Sequence, residues 1–151
     1  MPSAIVAELC SRSLNFEDTA LTEQINVVAV FYDGSCPLCT AEIGIYRQCA
    51  GAETISFVDV SALQSVTIVD RLDKATAMKR FHVRRADGTL VSGAAGFGHL
   101  WLALPAWRWL GRIVLLPGVV QAAELAYRGF LVVRPALQWT VRATTSKRTG
   151  V

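Results

Sequence analysis

Two cysteines three residues apart, Cys36 and Cys39, lie in the stretch Tyr-Asp-Gly-Ser-Cys-Pro-Leu-Cys, with Asp33 three residues before the first. This spacing serves three chemistries. The pair can supply two of the four ligands of a zinc ion, can be structurally inert, or can cycle between dithiol and disulfide. Only a thiolate attacks a disulfide, and at the ordinary thiol pKa of about 8.5 only about 3% of a cysteine is ionised at pH 7. A helix N-terminus, with its partial positive charge and unpaired N–H groups, stabilises the thiolate by roughly 0.3–2 kcal/mol, and 1.36 kcal/mol is one pKa unit. Cys36, at the expected start of a helix, is therefore the candidate attacking thiolate. Cys39, nearly one turn later on the same face, is the candidate resolving thiol. Asp33 has two readings: a carboxylate that binds loop N–H groups or relays a proton to the thiols, or an ordinary Asp-Gly turn. As a negative charge near Cys36 it would also raise the thiol pKa and oppose the helix.

Zinc needs four ligands, commonly two such pairs or a Cys pair with a His pair. The chain has no second Cys-x-x-Cys, and its two histidines, His82 and His99, are 17 residues apart. No cofactor is expected beyond the redox-active Cys36–Cys39 pair, with zinc as the minor alternative. His82 reads either as a proton carrier near the pair or as a satisfied histidine in a sheet. His99 and the tryptophans 101, 107, 109 and 139 read as packing residues. Cys49 reads as a small buried hydrophobe, and Cys10 as an additional thiol of undefined surroundings.

The elements that must position the pair can be read around it. Asn26–Tyr32, a continuous β-branched and aromatic run, predicts a strand buried on both faces. Asp-Gly-Ser-Cys-Pro is turn chemistry. From Cys36 to about Cys49 the pattern is helical, with Cys39, Ile43 and Tyr46 at i, i+4 and i+7, Ser35 as the expected N-cap and Pro37 in the first turn. Residues 54–60 predict a second strand, and 67–80 a second helix with Ile68, Leu72, Ala75 and Met78 on one face. Asp87-Gly88 centres a hairpin over 81–93. Helices follow, punctuated by Pro105, Pro117 and Pro135, and the polar tail is expected to fray. The order β-α-β-α-β-β-α implies a mixed α/β sheet of about four strands with flanking helices and extra C-terminal helices. This is the thioredoxin-like element order, in which a reactive Cys-x-x-Cys lies where the first strand meets the first helix.

The chain's 151 residues suit one domain, with 52% hydrophobic and 18% charged residues and a net charge of +3. We expect a poorly defined N-terminal segment over 1–25, a single domain over 26–142 and a flexible tail over 143–151. The charge is too mild and scattered to predict a nucleic-acid partner. The N-terminus has no basic start with an apolar core, which predicts a cytoplasmic location. No Asp, Glu, Lys or Arg occurs from Gly88 to Trp107, but the glycines and later arginines favour peripheral membrane contact over a spanning helix.

The sequence Tyr-Asp-Gly-Ser-Cys-Pro-Leu-Cys resembles the signature of the DCC family of thiol-disulfide oxidoreductases, with Asp33, Cys36 and Cys39 at the three positions of its D-x-x-C-x-x-C pattern. The stretches Ser56–Ala62, Phe81–Phe97 and Leu116–Phe130 are similar to that family's second strand, hairpin and late helix. The resemblance covers about residues 27–134. It implies a thioredoxin-like fold and a dithiol-disulfide activity on a disulfide-containing protein or small-molecule thiol, with no substrate named. One departure from thioredoxin proper is that no proline stands just before the third strand, in Ala77–Val83. Two functions follow as expectations. The first is a thiol-disulfide oxidoreductase with Cys36 attacking and Cys39 resolving. The alternative is a non-catalytic thioredoxin-like module, in which the pair holds a metal or the apolar C-terminal helices dock a protein or membrane. The direction of electron flow and the oligomeric state are not legible.

Overall fold

The computed structural model describes residues 27–148 except Asp70, with side chains as far as Val141. Its centre is a four-stranded sheet. Strand β1 (Val27–Tyr32) runs parallel to β2 (Ser56–Asp59) and antiparallel to β5 (His82–Arg85), which forms a hairpin with β6 (Leu90–Ser92). The parallel pair needs a crossover, supplied by helix α1 (Pro37–Tyr46) and a short 3-10 turn at Ala52–Thr54. The antiparallel hairpin turns at Gly88, whose φ is +83°. This arrangement is the expected thioredoxin-like mixed sheet.

Period-2 alternation in β1 divides the core between the two faces of the sheet. Val30 and Tyr32 face one side and join Ile43, Tyr46, Phe81, Val83, Leu100 and Leu104. Phe31 faces the other and joins Val60, Leu72 and Ala77, with Ala29 and Val58 against them. β1 is not buried throughout, since Val28 is exposed. Helices α1 and α3 (Gly93–Ala103) cover the first face, and α2 (Lys74–Lys79) the second.

Residues 67–73 depart from the helix expected there. They form a small hairpin, β3 (Thr67–Val69) with β4 (Leu72–Asp73), and only Lys74–Lys79 is helical. Two local causes are visible. Arg71 has a φ of +68°, left-handed geometry that closes a turn and interrupts a helix. Asp73 caps α2 instead of lying inside it, its Oδ1 accepting the Thr76 N–H at 2.8 Å. Ile68, Leu72 and Met78 still meet in one cluster, but Ala75, expected on the same face, is exposed, and Ala77 is the buried alanine of α2.

Beyond α3, a 3-10 turn at Pro105–Trp107 leads into α4 (Arg108–Val114) and then α5 (Val119–Arg148). A Cβ on Gly111 would fall 2.7 Å from the Gly98 carbonyl oxygen and from the Leu102 nitrogen, so only glycine permits α3 and α4 to pack this closely. Pro135 does not end a helix as expected but lies inside α5, and the polar stretch expected to fray continues the helix to Arg148. Two side chains tie α5 to the domain. Glu124 accepts hydrogen bonds from Arg80, from Arg128 Nε at 3.0 Å and from the Ala94 N–H at 3.1 Å. The Tyr127 hydroxyl accepts the Phe81 N–H at 2.9 Å, and its ring lies under the Arg80 guanidinium.

Leu100 is fully buried between the sheet and α3. Leu100→Ala is expected to lower unfolding stability by about 2–5 kcal/mol in denaturant titration. Val132→Ala, on the outward side of α5, should change it by no more than about 0.5 kcal/mol. Equal effects would contradict this assignment of core and surface.

Candidate active site

β1 delivers the chain to the loop Asp33–Ser35, and α1 begins immediately after it. Cys36, not Ser35, is the N-cap. Its backbone is extended, and its Sγ accepts the Cys39 N–H at 3.3 Å. Ser35 instead serves Asp33, donating its N–H and hydroxyl to Asp33 Oδ1 at 3.0 and 2.6 Å. Pro37 follows the cap, where the missing N–H costs no helical bond. The loop is pinned from β2, because Asp59 Oδ1 accepts the Gly34 N–H at 2.9 Å together with the Ser61 N–H and hydroxyl. An added Cβ at Gly34 would lie 2.0 Å from the Asp59 carboxylate, which explains the glycine there.

Both pair cysteines are free thiols, and their sulfurs are 2.7 Å apart, longer than a disulfide bond. Cys36 has no exposed surface, whereas Cys39 is partly exposed. Burial pushes the Cys36 thiol up. It is outweighed by four hydrogen bonds that favour the thiolate, from the Cys39 thiol, the Cys39 backbone N–H, Gln138 and Arg134, so the net shift is downward. Cys39 moves the opposite way. Burial first, and then the hydrogen bond it donates to Cys36, push it up to about 12, against the pull of the Arg134 charge. The surroundings thus favour ionisation at Cys36 over Cys39, whose thiol donates to Cys36 Sγ.

Arg134 is the one cation among these donors. It lies on α5, 101 residues from Asp33, and its Nη2 donates to Asp33 Oδ2 at 2.6 Å. The two side chains are only 12% and 10% exposed, so the pair is shielded from solvent screening. Asp33 therefore binds loop N–H and hydroxyl groups through one oxygen and orients an arginine through the other. Its negative charge contributes to raising Cys39. The sequence reading missed Arg134 and Gln138. The available signal was a 3-4-3-4 spacing of Glu124, Tyr127, Leu131, Arg134 and Gln138 along an otherwise apolar helix, which places them on one face.

A third residue not expected at the site is Glu42. It lines, with Asp33, Cys39, Phe81, Tyr127 and Arg134, a cavity of about 50 Å³ beneath α5. Burial raises the Glu42 carboxyl, although the Tyr46 hydroxyl donates to it at 2.8 Å and pulls the other way. The Trp101 Nε1–H donates in turn to Tyr46 at 2.9 Å, so the carboxyl is held by a chain reaching into α3.

The remaining candidates lie elsewhere. His82 is buried in β5, its Nδ1 2.8 Å from the Arg80 carbonyl, and burial lowers its pKa. It is the satisfied sheet histidine. His99 sits on α3, where burial also lowers its pKa. Cys49 is buried as expected, but it is disulfide-bonded rather than a free apolar side chain. Cys10 lies outside the described residues. Among the described residues no group of three or more His, Cys, Asp or Glu is placed to hold a metal ion.

A model of DCC1-like thiol-disulfide oxidoreductases matches residues 30–140. The chain belongs to that family. The matched span of this DCC1-like protein runs from β1 into α5 and so includes Asp33, Cys36, Cys39, Arg134 and Gln138. Over 102 residues the chain is 29% identical to an uncharacterized chloroplastic protein of Arabidopsis thaliana, which covers 66% of this chain. The match covers 47% of that protein, so the chain spans about half the length of this relative. No solved structure matches the chain.

The charges around the pair predict its titration. Followed by the ultraviolet absorbance of the thiolate, the first ionisation of the reduced DCC1-like protein should fall below the free-thiol value of about 8.5. Arg134→Ala removes a charged donor and should raise that midpoint by about one unit, with Arg134→Lys in between. An unchanged midpoint in Arg134→Ala would show that the guanidinium does not hold the thiolate.

Proposed function

We propose that the protein is a thiol-disulfide oxidoreductase in which the Cys36 thiolate attacks a disulfide and Cys39 resolves the product. The observation that carries this reading is the opposed pair of thiols: a Cys36 favoured as thiolate and a Cys39 held protonated beside it at 2.7 Å.

The two steps balance as follows. Cys36 S⁻ attacks one sulfur of the substrate disulfide, forming a mixed disulfide and releasing the first substrate thiolate. The Cys36 charge is thereby consumed. The two influences of Cys36 that raise Cys39, its hydrogen bond and its negative charge, disappear, while the Arg134 cation that lowers Cys39 remains. Cys39 then gives its proton to the departing thiolate and attacks Cys36 Sγ. The Cys36–Cys39 disulfide forms, the second substrate thiolate leaves, and two electrons have passed to the substrate. Run backwards, the same steps oxidise a dithiol. Arg134 thus stabilises the attacking group before the first step and the resolving group after it.

Access is part of the proposal. The sulfur of Cys36 is roofed by Arg134 and Gln138 from α5 and has no solvent-exposed surface. A substrate reaches it when this part of α5 moves aside. Downstream of Tyr127, Arg134 ties α5 to Asp33 and the Met78 carbonyl, and Gln138 ties it to Cys36.

Cys36→Ser should abolish reduction of insulin or of a glutathione disulfide. Cys39→Ser should stall after the first step and accumulate a mixed disulfide, which mass spectrometry identifies on Cys36. If both variants turn over as fast as the wild type, the enzymatic reading fails.

A further inference from the structure

The outward side of α4 and α5 has a composition unlike the rest of the surface. On α4 and the turn after it, Trp109, Arg112, Ile113 and Leu116 recur at helical spacing, and all four are exposed, Trp109 to 61%. On α5, Leu125, Arg128, Val132, Pro135 and Trp139 follow at intervals of 3, 4, 3 and 4 and are likewise exposed, Leu125 to 70%, Val132 to 80% and Trp139 to 72%. This stripe runs beside the seam of Glu124, Tyr127, Leu131, Arg134 and Gln138, one residue later at every position, and is turned away from the domain. Each stripe holds one tryptophan and one arginine among aliphatic residues. Exposed apolar surface of this extent marks a binding face.

Charge narrows the partner. From Gly88 to the C-terminus the sequence has seven Lys or Arg and one acidic residue, Glu124, which is already paired with Arg80 and Arg128. That segment carries +6, whereas residues 1–87 carry −3. A protein partner for an apolar seam does not require this asymmetry, and a second copy would bring the same positive charge against it. An anionic bilayer surface meets all three features. Its headgroups attract Arg112 and the excess positive charge of this segment, its interfacial zone accepts tryptophan, and its acyl boundary takes the aliphatic side chains. Among the described residues no single helix is long and apolar enough to cross a membrane, and Pro105–Val114 with Val119–Val141 reaches that length and composition only across a bend of 100°.

We propose that α4 and α5 dock this protein peripherally on anionic lipid bilayers through the Trp109–Arg112–Ile113–Leu116 and Leu125–Arg128–Val132–Trp139 stripes. The proposal is independent of the redox chemistry, because none of these residues lines the Cys36–Cys39 site. It places the inner seam of α5, with Arg134, directly behind a membrane-facing surface.

The test is co-sedimentation of the full chain with phosphatidylcholine vesicles with and without phosphatidylglycerol, alongside tryptophan emission. The expected result is binding that requires phosphatidylglycerol, is released by high salt and shifts the emission to the blue. Trp109→Ser with Trp139→Ser should weaken it by about tenfold or more, and Arg112→Gln by about fivefold, both leaving the thiolate titration of Cys36 unchanged. Absence of binding, equal binding to pure phosphatidylcholine, or resistance to both salt and alkaline extraction would overturn the proposal. So would a stable dimer in sedimentation equilibrium that the tryptophan variant abolishes, since a second copy would then be the occupant.

Discussion

The ion pair between Asp33 and Arg134 joins the two ends of this protein's chemistry. Asp33 comes from the loop after the first strand, and Arg134 from the last helix. Without the carboxylate the guanidinium has no fixed partner, and without the guanidinium Asp33 is a second negative charge beside a thiolate. Removing one member of a buried pair usually leaves the other charge uncompensated, at a cost of about 3–5 kcal/mol. Here the two are only 12% and 10% exposed, so they act as a unit. Burial alone would push the Cys36 thiol up; the Cys39 thiol and N–H oppose it first, and Gln138 and Arg134 add to them from the last helix. The helix N-terminus that the sequence suggested as the activator contributes one concrete bond, the Cys39 N–H to Cys36 Sγ. The Cys39 thiol adds a second local donor, and Gln138 and Arg134 arrive from the far end of the chain.

That division explains how α5 is built. One face of the helix carries polar groups at core spacing, each with an assignment: Glu124 to Arg80, Tyr127 to the Phe81 N–H, Arg134 to Asp33, Gln138 to Cys36. The adjacent stripe, one residue on, is exposed and mostly apolar, and its one arginine, Arg128, pairs with Glu124. The helix is thus an active-site element on one side and a surface element on the other. With the helix in this position Cys36 has no solvent-exposed surface.

Local patterns carried much of the fold. The β-branched run of β1, the Asp-Gly hairpin and the turn before Cys36 each rest on short-range chemistry, so they were legible, and their order already implied the mixed sheet. The two cysteines were legible for the same reason, being three residues apart and next to a turn. Two kinds of feature were not. Residues 67–73 alternate in a way that satisfies both a helix and a small hairpin, and the deciding facts, the left-handed Arg71 and the capping Asp73, are conformational. Arg134 and Gln138 lie about a hundred residues from the cysteines they serve, and only folding brings them together. The role of Asp33 stayed open for that reason: its loop contacts are local, but its second partner is not. Pro135 misled in the same way, because a proline is tolerated inside a helix where packing holds the adjacent turns in place.

The most direct measurement of this account is the reduction potential of the Cys36–Cys39 couple in wild type and Arg134→Ala, equilibrated in glutathione buffers and read by mass spectrometry of trapped thiols. Arg134 stabilises the thiolate of the reduced form and has no such partner in the disulfide, so its loss should destabilise the reduced form. The account predicts a more negative potential for Arg134→Ala, by about 30 mV for each 1.4 kcal/mol of stabilisation removed. A potential that is unchanged or more positive would contradict it.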